Sequence, residues 1–237
     1  MKGLTSIIMT SYDHTILLRK ITSASLGSIS KHTDPDDYEL ILVDNANNNI
    51  GLNTREHFIK IDKHIKNPEN LGCSRGNNQG VEASDPTTKY LCFIHNDVFV
   101  SNNWLPRLRK YLEDGRWDIV YPHQGPTPRD MFVKWENMSF EERILERGTD
   151  DGGLILMTRE AYNKTGGWDE RFKYLWHDFA FRYQCAKAKL KETKFVAEAV
   201  ITHIGGAVMV QDEKILDDAY KQESEIVNEL TAKYKNL

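Results

Sequence analysis

The sequence predicts an α/β protein with a mainly parallel central sheet and helices on both of its faces. Short apolar runs that are typical of buried strands alternate with segments whose apolar residues have helical spacing. Such alternation indicates βαβ units, in which each helix returns the chain to the next parallel strand. Three of the apolar runs end abruptly in polar clusters, at residues 10–13, 44–45 and 95–97.

The predicted elements follow one another in this alternating order. Buried strands are predicted at residues 4–9, 38–43, 58–65, 90–94, 119–121 and 154–158, and helices at 15–29, 74–83 and 103–113. Within the third strand, the even spacing of Ile59, Ile61 and Ile65 is typical of side chains on one face. The proline-containing stretch from Pro122 to Gly148 is too long for a simple connection and is predicted to be a binding loop.

The end of the chain is predicted to form an amphipathic helix. From Asp212 onward, apolar and aromatic side chains recur at spacings of three, four and seven, namely Leu216, Tyr220, Val227, Leu230 and Tyr234. We expect this helix, at 211–237, to pack on the same domain as the rest of the chain. A contact in a homodimer is the alternative.

The composition indicates one globular domain with a substantial core. The chain has 237 residues, of which 40% are hydrophobic and 28% charged. The formal net charge is -4, from 31 basic and 35 acidic residues, and no run of like charges stands out. Nucleic-acid binding is therefore not expected. An anionic ligand would have to be held locally, by a metal ion or by backbone amides.

The cysteines and the first residues of the chain indicate in which cellular compartment the protein is expected. Cys73, Cys92 and Cys185 are scattered and odd in number, which argues against a disulfide framework and against a zinc cluster. The apolar run at 4–9 is too short for a secretory signal or a membrane span. We therefore expect a cytoplasmic protein with reduced cysteines and no integral membrane segment.

The polar clusters at the strand ends predict a binding site. In open α/β sheets, ligands bind at the carboxyl ends of the strands. Asp97 follows a buried strand directly, so its carboxylate could bind a hard divalent cation that bridges diphosphate oxygens. The alternative is that Asp97 caps the turn into the next helix.

The segment 70–78 combines glycines with one basic residue. Gly72 permits close backbone approach, and the helix after it presents its N-terminus to an anion, where Arg75 could pair with a phosphate. The alternative is close packing, because Gly72, Gly76 and Gly80 recur every four residues on one helical face. The segment matches neither of the two common glycine-rich nucleotide motifs.

Two tryptophans precede a His-Asp pair later in the chain. Trp168 and Trp176 offer flat apolar faces suited to sugar rings, and Asp178 could accept a hydroxyl proton. The alternative is that both tryptophans lie in the core and that Asp178 stabilises a helix N-terminus. His203 ends another apolar stretch, where a histidine is either structural or a metal ligand.

Taken in order, these segments resemble the family 2 glycosyltransferases, especially the branch that includes bacterial rhamnosyltransferases. The resemblance spans roughly residues 5–206. It is carried by SIIMTSY at 6–12, ELILVDN at 39–45, NLGCSRGNN at 70–78, HND at 95–97, GGLILMTR at 152–159, GGWDERF at 166–172, HD at 177–178 and His203. A run of ordered matches is far more specific than any one motif.

The resemblance implies a GT-A fold at 1–210, with a nucleotide-sugar half at 1–98 and an acceptor half at 99–210. It implies an inverting transfer from a UDP- or dTDP-sugar to a hydroxyl of a glycan or another acceptor. Asp178 would be the catalytic base, and Asp97 with His203 would bind Mn2+ or Mg2+. The implied donor-binding residues are Thr10, Ser11, Tyr12, Asp44, Asn70, Gly72, Arg75, Asn78, His95 and Asn96, and the acceptor-binding residues are Asp151, Gly153, Trp168, Trp176 and His177.

Two positions depart from the family pattern. The first acid of the metal motif is His95, and the residue before the catalytic acid is His177. These departures leave open a non-catalytic module that binds a sugar or nucleotide. A nucleotidyltransferase on a related sheet is a second alternative, although the basic glycine-rich loop that it would need after the first strand is missing.

Overall fold

The structure, a computed structural model, describes residues 5–46, 52, 59–125, 153–192, 196–205 and 213–234. The strands are β1 (Thr5–Ser11), β2 (Tyr38–Asn45), β3 (Lys63–Asn67), β4 (Tyr90–His95), β5 (Val98–Val100), β6 (Ile119–Val120), β7 (Pro122–Gln124), β8 (Leu154–Thr158) and β9 (Val196–His203). The helices are α1 (Ile16–His32), α2 (Cys73–Ala83), α3 (Trp104–Glu113), α4 (Arg159–Thr165), α5 (His177–Lys187) and α6 (Glu213–Tyr234).

A mainly parallel sheet organises these elements, as the sequence predicts. Its strand order is β3-β2-β1-β4-β8-β6. The first four strands are parallel, and β8 runs antiparallel to both of its neighbours. A smaller sheet of order β5-β9-β7 lies beside it. Because β5 follows β4 after two residues, the small sheet begins at the carboxyl end of the large one.

The core lies on both faces of the large sheet. Successive side chains of β1 alternate between two clusters of buried apolar residues, with Ile7 and Met9 in one and Ile8 in the other. The first cluster reaches α1 and α3 through Leu26 and Trp104. The second reaches α4 and α5 on the opposite face. The central strands therefore form near-continuous hydrophobic runs, which is why they were recognisable in the sequence.

The predicted strand at 58–65 is wrong in its position. The strand β3 begins only at Lys63, and Ile59 and Ile61 precede it. Asp62 explains the late start, because its backbone N–H and its Oδ2 both bond to the backbone of Leu40, at 2.9 and 2.8 Å. The side chain thus takes the place of a ladder partner, and regular pairing starts with the next residue. Ile59 and Ile61 pack against one core cluster and Ile65 against the other.

Most of the predicted loop at 122–148 lies outside the described residues. Its first three residues form β7, which pairs in parallel with β9. The edge of a small sheet accommodates Pro122, which has no backbone N–H to donate. A three-residue strand in a polar, proline-containing stretch carries no periodicity that the sequence could show.

The glycines of α2 bring this helix close to β1. A Cβ built on Gly80 would meet Ile8 Cγ2 at 2.3 Å, and one on Gly76 would meet Thr10 Cγ2 at 2.5 Å. Gly72 has a φ of 88° and faces the backbone of Lys173. The close-packing interpretation of this stripe is therefore confirmed by the geometry at these three glycines.

The helix α6 packs against the segment that leads into α5. The carboxylate of Glu223 is buried and accepts hydrogen bonds from the backbone N–H groups of Lys173, Tyr174 and Leu175, each at 2.8 Å. The ring of Tyr220 meets that of Trp176 edge-on, with centroids 5.1 Å apart. These contacts tie α6 to the residues just before Asp178. A homodimer contact through α6 stays a prediction.

Replacement of Gly80 by alanine is predicted to destabilise the fold. An alanine within a helix ordinarily stabilises it by about 0.5–1 kcal/mol relative to glycine. Here the added methyl group would overlap Ile8, and overpacking a core typically costs about 1–3 kcal/mol. Urea unfolding should therefore show a lower free energy of unfolding for Gly80→Ala. Glu82→Ala, at an exposed position of the same helix, is the control, and an unchanged Gly80→Ala would contradict the close approach.

Candidate active site and metal site

The three polar clusters meet at one edge of the large sheet. In the parallel register, Thr10 pairs with His95 on one side, and Ser11 pairs with Asp44 on the other. The strand ends of β1, β2 and β4 are therefore adjacent, as the sequence predicts for a binding site. Tyr12 follows, with its ring 5.1 Å from that of His14. The Thr10 hydroxyl donates to Asn77 Oδ1 at 3.1 Å.

A buried ionic network fixes the donor side of this edge. The guanidinium of Arg19 donates to Asp13 Oδ2 at 2.9 Å and to Asp44 Oδ2 at 2.8 Å, and all three side chains are at least 94% buried. His64 Nε2 lies 2.9 Å from the same oxygen of Asp44. The other oxygen, Asp44 Oδ1, is buried and has no hydrogen-bond partner among the described residues.

Asn96 links this network to the strand that carries the metal motif. Its Nδ2 donates to Asp13 Oδ1 at 3.0 Å and to the Thr22 hydroxyl oxygen at 2.9 Å. Thr22 also donates to Asp13, at 2.8 Å. Burial nevertheless raises the pKa of Asp13 above its ordinary value, against the opposing effect of these bonds and of Arg19.

His95, Asp97 and His203 form the first group that could hold a metal ion. Their candidate ligand atoms all lie within 4.8 Å of one another. His203 reaches the group because β9 pairs with β5 and sets it opposite Val98, and its Nε2 lies 3.1 Å from Asp97 Oδ1. The other oxygen of Asp97 accepts from the backbone N–H of Gly205 at 3.1 Å.

Gly153 leaves room for this group. Its carbonyl oxygen accepts from the backbone N–H of His95 at 2.9 Å, which places the glycine directly beside the histidine. A Cβ at this position would lie 2.8 Å from His203 Nδ1. A side chain at position 153 would displace the imidazole of His203, so His203 can occupy its position only because residue 153 is a glycine.

His177 and Asp178 reach the same point from the first turn of α5. His177 Nε2 lies 3.4 Å from His95 Nε2 and 3.5 Å from Asp178 Oδ2. His95 thus contacts His177, the residue before the predicted base, and its ligand atom lies within 4.8 Å of that of the predicted metal-binding carboxylate, Asp97.

Burial favours the neutral form of both imidazoles in contact. Burial lowers the pKa of His177 to about 4, and the main cause of the lowered pKa of His95 is also burial. A neutral imidazole has a free lone pair on one ring nitrogen and is the form that binds metal ions.

A family model decides which proteins this chain is related to. The model described as "Glycosyl transferase family 2" matches residues 6–183, which is most of the chain. The chain belongs to glycosyl transferase family 2. The matched range contains every element from β1 to the first two turns of α5, and thus all of the site described above except His203.

Solved structures show that this family 2 chain has a GT-A fold. S. aureus TarS (residues 1–349) aligns with a TM-score of 0.60 at 13% identity over 84% of this chain and 60% of its own. GalNAc-T7, solved with UDP, GalNAc and Mn2+, gives 0.58 at 16% identity over 84% of this chain and 43% of its own. The mannosyltransferase PcManGT from Pyrobaculum calidifontis, solved with GDP-Man and Mn2+, gives 0.61 at 15% identity over 86% and 57%.

The family 2 chain is shorter than these three structures. It spans between 43% and 60% of their lengths. A search of curated protein sequences gave no significant match. Within the described ranges, no helix has both the length and the hydrophobicity that crossing a membrane would require. The three cysteines, all among the described residues, are free.

The two predicted acceptor tryptophans occupy different environments in the family 2 fold. Trp168 is 4% exposed, and its ring stacks on Phe181 with centroids 4.1 Å apart. The ring of Trp168 lies in the core. The face that was predicted to contact a sugar is covered by Phe181 on the side where the two rings stack. Trp176 is partly buried, has a φ of 50° and packs on α6. Asp151 lies outside the described residues.

The segment at 70–78 holds the turn that precedes α5. Asn78 is bonded to both backbone groups of Trp168 and to Glu170, and Arg75 pairs with Glu170 at 3.0 Å. Asn70 Oδ1 accepts from the N–H of Gly72 at 2.9 Å. These residues therefore connect the start of α2 to the segment that precedes α5. Whether they also contact a donor stays a prediction.

Sequence reasoning assigned no site role to four residues that the structure brings there. Arg19 lies on a helix face that shows no motif, and Glu223 lies far along the chain in the last helix. Cys73 lies at the start of α2, with its thiol near His95 and His177. Of the four, Asp13 gave the clearest signal, as the charged end of the first polar cluster. Contacts between distant segments leave no spacing pattern in one sequence.

Removal of the buried guanidinium is predicted to be severely destabilising. Arg19→Met would leave the carboxylates of Asp13 and Asp44 buried without their shared counter-charge, and breaking a buried ion pair typically costs about 3–5 kcal/mol. The free energy of unfolding in urea measures this loss. Lys20→Met, at the exposed neighbouring position, is the control. Equal unfolding free energies for the two variants would mean that the network contributes little to stability.

Proposed function

We propose that this chain is an inverting glycosyltransferase that moves a sugar from a UDP- or dTDP-sugar to a hydroxyl group of a glycan or another acceptor. The observation that carries this proposal is the proximity of His95 both to His177, which precedes the proposed base Asp178, and to the proposed metal ligand Asp97. His177 Nε2 lies 3.4 Å from His95 Nε2 and 3.5 Å from Asp178 Oδ2, and the ligand atoms of His95 and Asp97 lie within 4.8 Å of each other. Membership of family 2 supports the same reaction.

The residues of the first metal group fit a divalent cation. Asp97 contributes a carboxylate oxygen, which suits Mg2+ and Mn2+, and His203 and His95 contribute imidazole nitrogens. When bound, such a cation would offset the negative charge that develops on the departing diphosphate. Asp97 is held for this role by the N–H of Gly205, and His203 by the space over Gly153. Two of the similar structures were solved with Mn2+.

Asp178 is proposed to be the general base. It would take the proton of the acceptor hydroxyl, whose oxygen forms a bond to the anomeric carbon as the bond from that carbon to the diphosphate oxygen breaks. Attack from the face opposite the leaving group inverts the configuration. A single displacement requires no protein nucleophile. Asp178 lies in the first turn of α5, where the helix N-terminus favours the ionised carboxylate that a base requires.

The donor is proposed to lie over the ends of β1 and β2. Asp44 Oδ1, buried and without a partner among the described residues, can accept from a donor group of the base or the ribose. Arg19 and His64 fix the orientation of this carboxylate. Thr10, Ser11 and Tyr12 follow on the neighbouring strand. The remaining proposed donor contacts come from Asn70, Gly72, Arg75, Asn78, His95 and Asn96.

The acceptor is proposed to approach from the side of α5 and β8. His177 lies next to Asp178, with His177 Nε2 3.5 Å from Asp178 Oδ2. Gly153 has no side chain to fill the space beside His203. Trp176 can meet a sugar ring there, whereas Trp168 supports the site from the core through its contact with Phe181. Asp151 and the segment after Gly125 complete this side in the proposal.

The direct test is a screen of nucleotide sugars with Mn2+, in which release of the nucleotide is followed with and without candidate acceptors. The proposal expects acceptor-dependent release from one UDP- or dTDP-sugar. Products with retained configuration would reject the inverting mechanism. Binding of a nucleotide sugar without release in any combination would instead favour the non-catalytic module, which His95 and His177 suggest. Release of pyrophosphate from a nucleoside triphosphate would identify a nucleotidyltransferase.

Transfer is predicted to need a divalent cation held by Asp97. Asp97→Asn keeps the size of the side chain and the bond from Gly205, but it removes the negative charge that binds the cation. Transfer should fall to background in this variant and in the wild type with excess EDTA, and Mn2+ should restore only the wild type. Asp217→Asn, at an exposed position of α6, is the control. Full activity in EDTA would refute the metal requirement.

Asp178→Asn is predicted to lower turnover by about 10²–10⁴-fold, the usual loss on removal of a general base. The amide preserves shape but cannot take the proton. Donor affinity, measured by calorimetry with the nucleoside diphosphate, should remain near the wild-type value because Asp178 faces the acceptor. Near-normal turnover in this variant would assign the base elsewhere, and His177 is then the first residue to test.

A further inference from the structure

We propose that Cys73, His95 and His177 form a second metal site that binds Zn2+ or a similar transition-metal ion and shares only His95 with the group that contains Asp97. The candidate ligand atoms of these three residues all lie within 4.8 Å of one another. They come from the first residue of α2, the end of β4 and the first residue of α5. The fold therefore brings them together from three distant parts of the chain.

The distance between the two histidines suits a tetrahedral ion. Their Nε2 atoms lie 3.4 Å apart and face each other. Two nitrogens that each bind Zn2+ at about 2.0–2.1 Å in tetrahedral geometry are about 3.3–3.4 Å apart. Both histidines are partly buried, with the His177 side chain 12% exposed, and a neutral imidazole presents a lone pair on one ring nitrogen. The two ring nitrogens therefore already have nearly the separation that the ion needs.

Cys73 supplies the ligand that separates this site from the first one. Its sulfur accepts a hydrogen bond from Asn77 Nδ2 at 3.7 Å, and its backbone N–H is fixed by the carbonyl of Lys173 at 3.0 Å. Burial and the nearby Asp178 raise the pKa of this thiol and the bond from Asn77 opposes them, so the thiol is expected to lose its proton only when a metal ion binds. Unlike Cys92 and Cys185, which are buried, Cys73 is partly exposed.

The donor set determines which ions this site prefers. A thiolate and two imidazoles are ligands for Zn2+ and Co2+, whereas Mg2+ and Mn2+ prefer oxygen. Three protein ligands leave a fourth position of a tetrahedral ion open. Asp178 borders that position, since its Oδ2 lies 3.5 Å from His177 Nε2. Two sites with opposite preferences thus share His95.

The proposed site explains both departures from the family pattern, His95 and His177, in the same way. His95 and His177 each stand where the resemblance leads one to expect an acid, and they are the two residues in contact. The scattered cysteines argued against a zinc cluster, and among the described residues the cysteines do not come together. A site with one cysteine and two histidines does not require them to do so.

Titration with Co2+ tests the thiolate ligand directly. Cobalt takes the place of zinc, and a bond from sulfur to Co2+ gives an intense near-ultraviolet charge-transfer band that oxygen and nitrogen ligands do not give. The wild-type chain should show this band, and Zn2+ but not Mg2+ should abolish it. Cys73→Ser should lack the band, and Cys185→Ala should keep it. Circular dichroism and melting curves establish that each variant is folded.

Two further variants locate the ion. His177→Ala should weaken Zn2+ binding by at least about tenfold, because even loss of a residue that only orients a ligand costs about 10–100-fold. Asp97→Asn should keep the cobalt band, since Asp97 belongs to the other group. The proposal is overturned by a wild type without the band, by a band that survives in Cys73→Ser, or by one that disappears in Asp97→Asn. None of these measurements depends on sugar transfer.

Discussion

The buried guanidinium of Arg19 is the interaction on which the donor side of the site depends. It lies between the carboxylates of Asp13 and Asp44, with which it forms bonds of 2.9 and 2.8 Å. Charges removed from water are stable only when each has a partner, so the three side chains fix one another. Through them the loop after β1, the helix α1 and the end of β2 hold one geometry. Asn96 extends the network to the turn that carries Asp97.

The acceptor side depends on a different constraint, which is the attachment of the segment before α5. Asn78 holds the turn at Trp168 from one side, and Glu223 accepts three consecutive N–H groups from the other. The helix α5 begins immediately after this segment. Asn78 of α2 and Glu223 of α6 therefore help to fix the position of Asp178. This arrangement gives the last helix a role in the site that its amphipathic pattern alone does not indicate.

The cluster of His95, His177 and His203 joins the two sides. The ring centroid of His95 lies 5.5 Å from that of His177 and 5.4 Å from that of His203. Where the family resemblance led to an expectation of acids, this chain has the imidazoles of His95 and His177, which can act as metal ligands in their neutral form. In the proposed sites they would suit softer cations than an all-oxygen site would take.

The sequence by itself determined the central strands, the helices α1, α2, α3 and α6, and the edge at which the polar clusters meet. Runs such as YELILV at 38–43 are buried on both faces, so their hydrophobicity is continuous and visible without any partner. The ordered motifs also sufficed to predict the family. The start of β3 escaped because the side chain of Asp62 replaces a backbone partner there, which no periodicity records.

Only the tertiary structure decided which of the predicted residues meet. Thr10 lies opposite His95 because both follow parallel strands, and that much could be expected from the pattern of strands and helices. The approach of His177 to His95, the placement of Cys73 beside them and the burial of Trp168 against Phe181 could not. His95 and His177 are 82 residues apart, and Cys73 lies in a third segment of the chain. These contacts are set by how α2, α5 and α6 pack together. The spacing of residues along the sequence shows which face of a helix or strand is buried, but not which other helix or strand covers that face.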